Sequence, residues 1–347
     1  MVKKSGHANG SGKSPSVKAI AAISGGLDSI VAAGLVARLG VDVLLLHVQH
    51  FFGANERARA EIHQIAGQLG LPLRIVDVSE EHLEVIRRPK FGYGRGMNPC
   101  VDCRIFLLKV AKRVMEEEGA QFVISGEVLG QRPKSQQLRE MMRVQEETGL
   151  GDRLLRPLSA NLLPDTLPVK EAWLRREDLL SIHGRTRHEQ MALAATFGIT
   201  GYPQPAGGCL LTEKTYAARV RDAFDHLGRD RVDLEQFRLL RIGRHFRLSD
   251  DAKVIVGRNH TENTKLDAFA EGRTRLEPVS VMGPTSLVEG TPTAEEIALA
   301  ASLAARYCDV DTGETVSFDV RDASGARTLD ARALDADDPR ISAWRIG

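Results

Sequence analysis

Six residues, Ser24-Gly25-Gly26-Leu27-Asp28-Ser29, constrain this chain more than any other stretch. They sit where an apolar strand, Val17 to Ile23, hands over to an amphipathic helix beginning near Ser29. Two adjacent glycines let the backbone approach an anion closely and present successive N–H groups, and a new helix N-terminus favours negative charge. The flanking serine hydroxyls add donors, so the turn has the makings of a phosphate cradle. Asp28 would repel a phosphate unless it serves a cation or orients a donor. The strings G-x-G-x-x-G and G-x-x-x-x-G-K-[ST] do not occur at this turn, which disfavours a dinucleotide fold and a P-loop kinase. The bland alternative is an ordinary strand-to-helix turn rich in small residues.

From residue 17 the pattern alternates. Val41 to Val48 is a nearly continuous apolar strand, Asn55 to Leu69 a helix closed by Gly70, and Leu73 to Val78 another strand. This repetition predicts an α/β domain with a doubly wound parallel sheet, whose ligands gather beyond the carboxyl ends of the strands. Gly92, Gly94 and Gly96 mark a loop. Asn98 is expected to cap the next helix, with Pro99 at its first position; that helix runs to about Gly119 and feeds a strand from Gln121 to Ser125.

At 347 residues and 42% hydrophobic the chain can bury a large core and should divide into two or three units. A net charge of +1 means that any polyanion site must be local. Met1 to Pro15 reads as a flexible Gly/Ser/Lys-rich tail, with residues 1–16 outside the first domain. It has no apolar core that could serve as a signal peptide or anchor. No apolar run reaches membrane-spanning length, and four cysteines in so long a chain make no secreted disulfide framework, which points to a cytoplasmic protein and to thiol or metal chemistry.

Cys100 and Cys103 stand three residues apart, on one face of a first helical turn where the dipole favours thiolate. Cys209 follows Pro205-Ala206-Gly207-Gly208, a loop that cannot be deep core. Three thiolates suit an iron–sulfur cluster with one open iron. Two suit a redox-active pair, and zinc would want a fourth ligand; all three uses, and inert cysteines, stay open. Cys308, after an alanine-rich helix, reads as a small core residue.

The six-residue turn resembles the signature of the PP-loop ATP pyrophosphatases. Cys100-Val101-Asp102-Cys103-Arg104, followed by Ser125-Gly126-Glu127-Val128-Leu129-Gly130-Gln131 and Ser135-Gln136, resembles the tRNA 4-thiouridine synthetases. Asn98-Pro99, Cys103 and Cys209 also resemble the tRNA 2-thiouridylases, with a cysteine at position 100 as in cluster-dependent forms. Together these motifs span about residues 17 to 225. The resemblance implies cleavage of ATP, with Mg2+, to AMP and pyrophosphate while a tRNA uridine is adenylated and then thiolated. It implies ATP at Ser24, Gly25, Gly26, Asp28, Ser29 and Gly126, with Asp28 also catalytic, and sulfur on Cys103 and Cys209 or on a [4Fe–4S] cluster of Cys100, Cys103 and Cys209. Neither an upstream tRNA-binding domain nor a rhodanese-like domain is evident. The modified uridine therefore stays open, and sulfur is expected from a separate donor such as a cysteine desulfurase or free sulfide. The rivals are a PP-loop enzyme that amidates or inserts sulfur into a small molecule, and a non-catalytic nucleotide-dependent RNA-binding module.

Gln131, with Arg132, Lys134, Ser135 and Gln136, follows a strand end and could line the nucleotide pocket, or could be a solvated loop. His47 ends a buried strand near the expected adenine site, where a hydrogen-bonded core histidine is the alternative. The arginines of Gly184-Arg185-Thr186-Arg187-His188 could clamp phosphate or be solvated. The catalytic domain is expected over 17–231, an α+β appendage over 232–323, and an acidic tail over 324–347. Strands are expected at Lys253 to Val256, Pro278 to Met282 and Thr315 to Val320, and a capping box at Thr293-Glu296 starts a helix. Arg238, Arg241, Arg244 and Arg247 recur every three residues and form a candidate RNA-binding stripe, unless acidic neighbours neutralise it.

Overall fold

The computed structural model describes residues 17–53, 56–132, 135–202, 209–311 and 313–347. The expected N-terminal tail, Lys134, Gly207 and Gly208 lie outside them. The described residues form two compact units, one of 17–92 with 99–202 and one of 93–98 with 209–347.

In the first unit β1 (Lys18–Ala22) leads through the glycine turn into α1 (Leu27–Arg38). There follow β2 (Asp42–Gln49), α2 (Glu56–Leu69), β3 (Leu73–Asp77) and α3 (Glu81–Arg87). After these come α4 (Cys100–Glu117), β4 (Phe122–Ser125), α5 (Leu138–Thr148), β5 (Leu154–Leu155), α6 (Leu167–Lys170) and α7 (His188–Thr196). The strands form a parallel sheet in the order β3-β2-β1-β4-β5. Alternate residues serve opposite faces. Ala19, Ala21, Val43 and Leu45 pack with α1, whereas Ile20, Leu44, Leu46 and Val123 pack with α4. Helices on both faces explain why β2 reads as an unbroken apolar run. The strand order reverses between β1 and β4, and the crevice beyond their carboxyl ends is the switch point where ligands bind in such sheets.

The helix expected to be capped by Asn98 begins at Cys100 with Pro99 as its cap residue. The Asn98 side chain is otherwise engaged, accepting the Gly96 N–H at 3.0 Å.

The second unit comprises α8 (Lys214–Leu227), α9 (Leu234–Leu239), β6 (Arg244–Ser249), β7 (Ala252–Val256), α10 (His260–Asp267), β8 (Thr274–Pro278) and β9 (Ser286–Gly290). It ends with α11 (Ala294–Ala305), β10 (Thr315–Asp322), β11 (Gly325–Arg332) and α12 (Pro339–Trp344). Its antiparallel sheet has the order β11-β10-β8-β9-β7-β6. Three expectations are corrected here. The boundary falls before α8, not at 231, because the Tyr216 hydroxyl donates to Phe237 O at 2.9 Å and the Arg219 guanidinium to Leu240 O and Gly243 O, tying α8 to this unit. Residues 324–347 are no loose tail: β11 pairs along its whole length with β10, and Ala331, Ala333 and Ile341 enter the core. The strand placed at 278–282 ends at Pro278; Val279 and Met282 are 63% and 82% exposed. The Thr293–Glu296 capping box is present as expected. Among the described residues no helix is long and apolar enough to cross a membrane.

Candidate active site

The glycine turn lies at the β1–β4 switch point. Gly25 has φ +81°, a left-handed conformation that a side chain would strain, and Gly26 is the extended N-cap of α1. The Ser29 hydroxyl staples the turn, donating to Gly26 O at 2.8 Å and accepting the Ser24 N–H at 3.2 Å. Ser24 Oγ accepts the Gly26 N–H at 3.4 Å. Gly126, at the end of β4, backs directly onto α1: a Cβ there would lie 2.4 Å from Ser29 Cα and N. Only glycine lets the two elements that shape the crevice meet so closely.

Asp28 is 8% exposed and sits 3.3 Å from an Arg187 guanidinium, while its Oδ1 is buried with no hydrogen-bond partner among the described residues. A cation does therefore serve it. Arg187 is placed by a stitched loop: Gly184 N–H donates to Leu129 O at 2.8 Å, and the Ser159 hydroxyl accepts from Leu129 N at 3.0 Å and donates to Ile182 O at 2.6 Å. Arg132 lies in the same electrostatic neighbourhood. Desolvation, then Arg104, pushes its pKa down, with Arg187 adding to that and Cys100 and Asp28 opposing.

His47 is 5% exposed, with Nδ1 3.1 Å from Ile23 O and Nε2 without a partner among the described residues; burial lowers its pKa and keeps it neutral. Among the described residues the buried Nε2 of Gln131 likewise lacks a partner. Orphaned buried polar atoms are rare in folded proteins. Three of them, on Asp28, His47 and Gln131, fit residues that await a polar ligand, and with the glycine turn they fit ATP.

Behind the turn, Glu127 is fully buried, with Oε2 2.9 Å from Arg156 Nε and Oε1 3.3 Å from Arg104. Burial pushes its pKa up, but Arg104 and Arg156 outweigh burial and hold the carboxyl below its ordinary value. Arg156 is also bonded to Gln145 Oε1 and Met141 O, so the triad anchors the segment that carries Gly126. Sequence reasoning singled out neither Arg156 nor this role of Glu127.

Cys100 is exposed and Cys103 half-buried on the first turn of α4. Cys103 Sγ lies 3.2 Å from Nε2 of His82, a partner the sequence did not suggest. The His82 ring packs tilted against that of His50, with centroids 4.4 Å apart and the planes 41° from parallel. Burial, then the His50 charge, lowers the His82 pKa to about 3; burial, then His47, lowers that of His50 to about 4. The contact at Cys103 is therefore a hydrogen bond to a neutral imidazole. Cys209 lies in the second unit, just before a short helical turn, where its carbonyl accepts from Thr212. Among the described residues no group of three His, Cys, Asp or Glu side chains is placed to hold a metal ion, and of the three expected cluster ligands Cys100 and Cys103 belong to the first unit and Cys209 to the second. Cys308 is a core thiol whose pKa burial raises to about 11.

The arginine stripe does not hold as one face. Arg238 ends α9, Arg241 lies in a turn, and Arg244 and Arg247 are on β6, where a separation of three residues points side chains to opposite sides. Arg238 and Arg241 are exposed. Arg247 is paired with Asp222 at 2.8 Å, whereas Arg244 lies over the Tyr307 ring, 4.7 Å from its centroid.

Comparison with known proteins gives two family models. Residues 14–161 match that of the thiamine biosynthesis protein (ThiI), and residues 243–345 match the NFACT protein RNA binding domain. A probable tRNA sulfurtransferase of Thermococcus kodakarensis is 32% identical over 146 residues, 41% of this chain and 36% of that protein. A tRNA-specific 2-thiouridylase MnmA of Xanthobacter autotrophicus is 32% identical over 226 residues, 60% of this chain and 55% of that protein. The chain thus spans about half or less of the length of these relatives. A 4-thiouridine synthetase solved in complex with RNA and bound ATP aligns with a TM-score of 0.36 at 20% identity, over 52% of this chain and 51% of that one.

Proposed function

We propose, for a chain whose residues 14–161 match the family model of the thiamine biosynthesis protein (ThiI), that it is a PP-loop, ATP-dependent tRNA sulfurtransferase acting on a uridine. The observation that carries the reading is the Ser24–Ser29 turn at the β1–β4 switch point, with an unpartnered Asp28 oxygen beside it and Cys103 in the same unit.

The N–H groups of the turn and the α1 N-terminus would hold the ATP phosphates, and the neutral His47 and Gln131 would offer polar partners to the rest of the nucleotide. Mg2+ at Asp28 would supply charge neutralisation for the departing pyrophosphate. The uridine carbonyl oxygen attacks the α-phosphorus, the bond to the bridging oxygen breaks, and pyrophosphate leaves an adenylated base. Arg187 and Arg132 stabilise the charge that develops there. AMP is a far better leaving group than hydroxide, so sulfur can then displace it from carbon.

We assign the sulfur to thiols. The outer sulfur of a persulfide on Cys103 attacks the activated carbon and AMP departs; Cys209 is the candidate for the second thiol that frees the product by disulfide exchange. No step is routed through a cluster. The sulfur would come from the persulfide of a cysteine desulfurase, whose outer sulfur passes to the Cys103 thiolate and leaves the donor as a thiol; a small thiol reductant would reopen the Cys103–Cys209 disulfide after each turnover. The second unit, with its match to an RNA-binding domain, is assigned to holding tRNA. The reaction is placed in the cytoplasm, where thiols stay reduced. Release of labelled pyrophosphate from ATP only when tRNA is present supports this reading. Release driven instead by a small acid, or none with any RNA, refutes it.

A further inference from the structure

An open groove of about 510 Å3 runs along the second unit between the start of α10, the β8–β9 loop and Tyr307. That is the size of pockets that enclose a small ligand, roughly 300–1,000 Å3. One wall carries the Tyr307 ring, with the Arg244 guanidinium 4.7 Å from its centroid. Arg244 is fixed in this pose by donating to Gly257 O at 3.2 Å. The β8–β9 loop contributes an apolar lip, on which Met282 is 82% exposed although it lines the groove. The third feature is polar. Asn263 donates to Gly283 O at 3.3 Å, yet its Oδ1 is buried and lacks a partner among the described residues.

Charge also sorts the ligand. The groove's acidic residues, Asp267 and Glu277, are both paired with Arg275, at 2.9 and 2.6 Å. Arg258 is likewise matched by Glu262. Among the described residues Arg244 is paired with no carboxylate, being bonded to a carbonyl and set over an aromatic ring, so the wall that carries Tyr307 is the cationic one. An anionic group beside a flat apolar body with N–H donors on its edge matches these features. A single unpaired nucleotide has all of them, whereas a duplex hides its base faces.

We propose that this groove binds one unpaired nucleotide of the RNA, with the base against Met282, its edge donating to Asn263 and its phosphate on the Arg244 wall. This rests on the tRNA reading above, and it names which part of the RNA the second unit takes. It also turns one arginine of the broken stripe, Arg244, into part of a built site.

The test uses the full chain without ATP or a sulfur source. Fluorescence anisotropy would measure affinity for a labelled single-stranded oligouridylate and for a duplex of the same length, across a salt series. The groove predicts that the single strand binds more tightly and that Met282→Glu, at an exposed position, weakens it about tenfold, within the range a stacked base contributes. Arg244→Gln should also weaken it and lower the salt slope by about one. Bromouridine in the strand should crosslink to the peptide carrying Met282 or Tyr307. Unchanged single-strand affinity in folded Met282→Glu, equal binding of duplex, or crosslinks outside the groove would overturn the proposal, and with unchanged affinity the apolar lip passes to a protein partner. Failure of the sulfurtransferase reading is separately visible, because it is read from thiouridine and not from oligonucleotide binding.

Discussion

Gly126→Ala tests whether the crevice depends on the close meeting of β4 and α1. The added Cβ would sit 2.4 Å from Ser29 Cα and N, and ordinary contact begins at 3.4 Å, so one backbone must retreat by 3.4 − 2.4 = 1.0 Å. Neither neighbour is a flexible side-chain tip. The Ser29 hydroxyl holds the turn through bonds of 2.8 and 3.2 Å, so a displaced α1 start takes Gly26 and Ser24 with it. Misplacement of about 1 Å at a reacting centre costs about 10²-fold in rate, or about 2.7 kcal/mol of transition-state stabilisation. Overpacking should cost about 1–3 kcal/mol of folding stability. Pyrophosphate release, ATP titration calorimetry and thermal unfolding, each beside the wild type, separate the two effects. Gly67→Ala is the control: it lies in α2 with nothing within 4 Å of its added Cβ and should gain about 0.5–1 kcal/mol. Wild-type turnover by Gly126→Ala would refute the reasoning.

Other perturbations probe the neighbouring groups. Arg187→Ala removes the guanidinium 3.3 Å from Asp28 and should lower pyrophosphate release about 10²-fold with an unchanged melting temperature; unchanged turnover excludes the clamp. Glu127→Gln leaves Arg156 as an uncompensated buried charge and should cost about 3–5 kcal/mol by denaturant titration. Because Arg104 and Arg156 depress the Glu127 pKa, its contribution is fully present above the ordinary value of 4.5 and is lost as pH falls through the lower folded value. Acid should therefore destabilise the wild type more steeply than Glu127→Gln, and parallel curves would contradict the triad. Cys103→Ala and Cys209→Ala should each abolish thiolation while adenylation survives, and anaerobically purified protein should be colourless and free of iron; brown, iron-bearing protein would restore the cluster.

The sheet of the first unit was legible because both its faces are covered, which turns β2 into a continuous apolar run, and because glycines punctuate its helices. The phosphate turn was legible for the same local reason. What escaped were partnerships made by folding. Gly126 needs no side chain only because β4 returns beside α1, and Cys103 meets His82 only because α3 and α4 pack. Arg156 reaches Glu127 from beyond α5, at a distance no local pattern encodes. In the second unit β11 looked like a solvated tail because an edge strand needs few inward residues, here Leu329 and Ala331. The arginine stripe failed because a period of three was read across a helix, a turn and a strand, which have different geometries.

The most direct measurement is nucleoside mass spectrometry of unmodified tRNA after incubation with the purified full chain, ATP, Mg2+, a cysteine desulfurase with cysteine, and a thiol reductant, with pyrophosphate counted in the same tube. Thiouridine should appear with one pyrophosphate per modified base, and both should vanish without ATP. Pyrophosphate with no thiolated nucleoside, or thiouridine formed without ATP cleavage, would contradict the assignment of the Ser24–Ser29 turn to uridine activation.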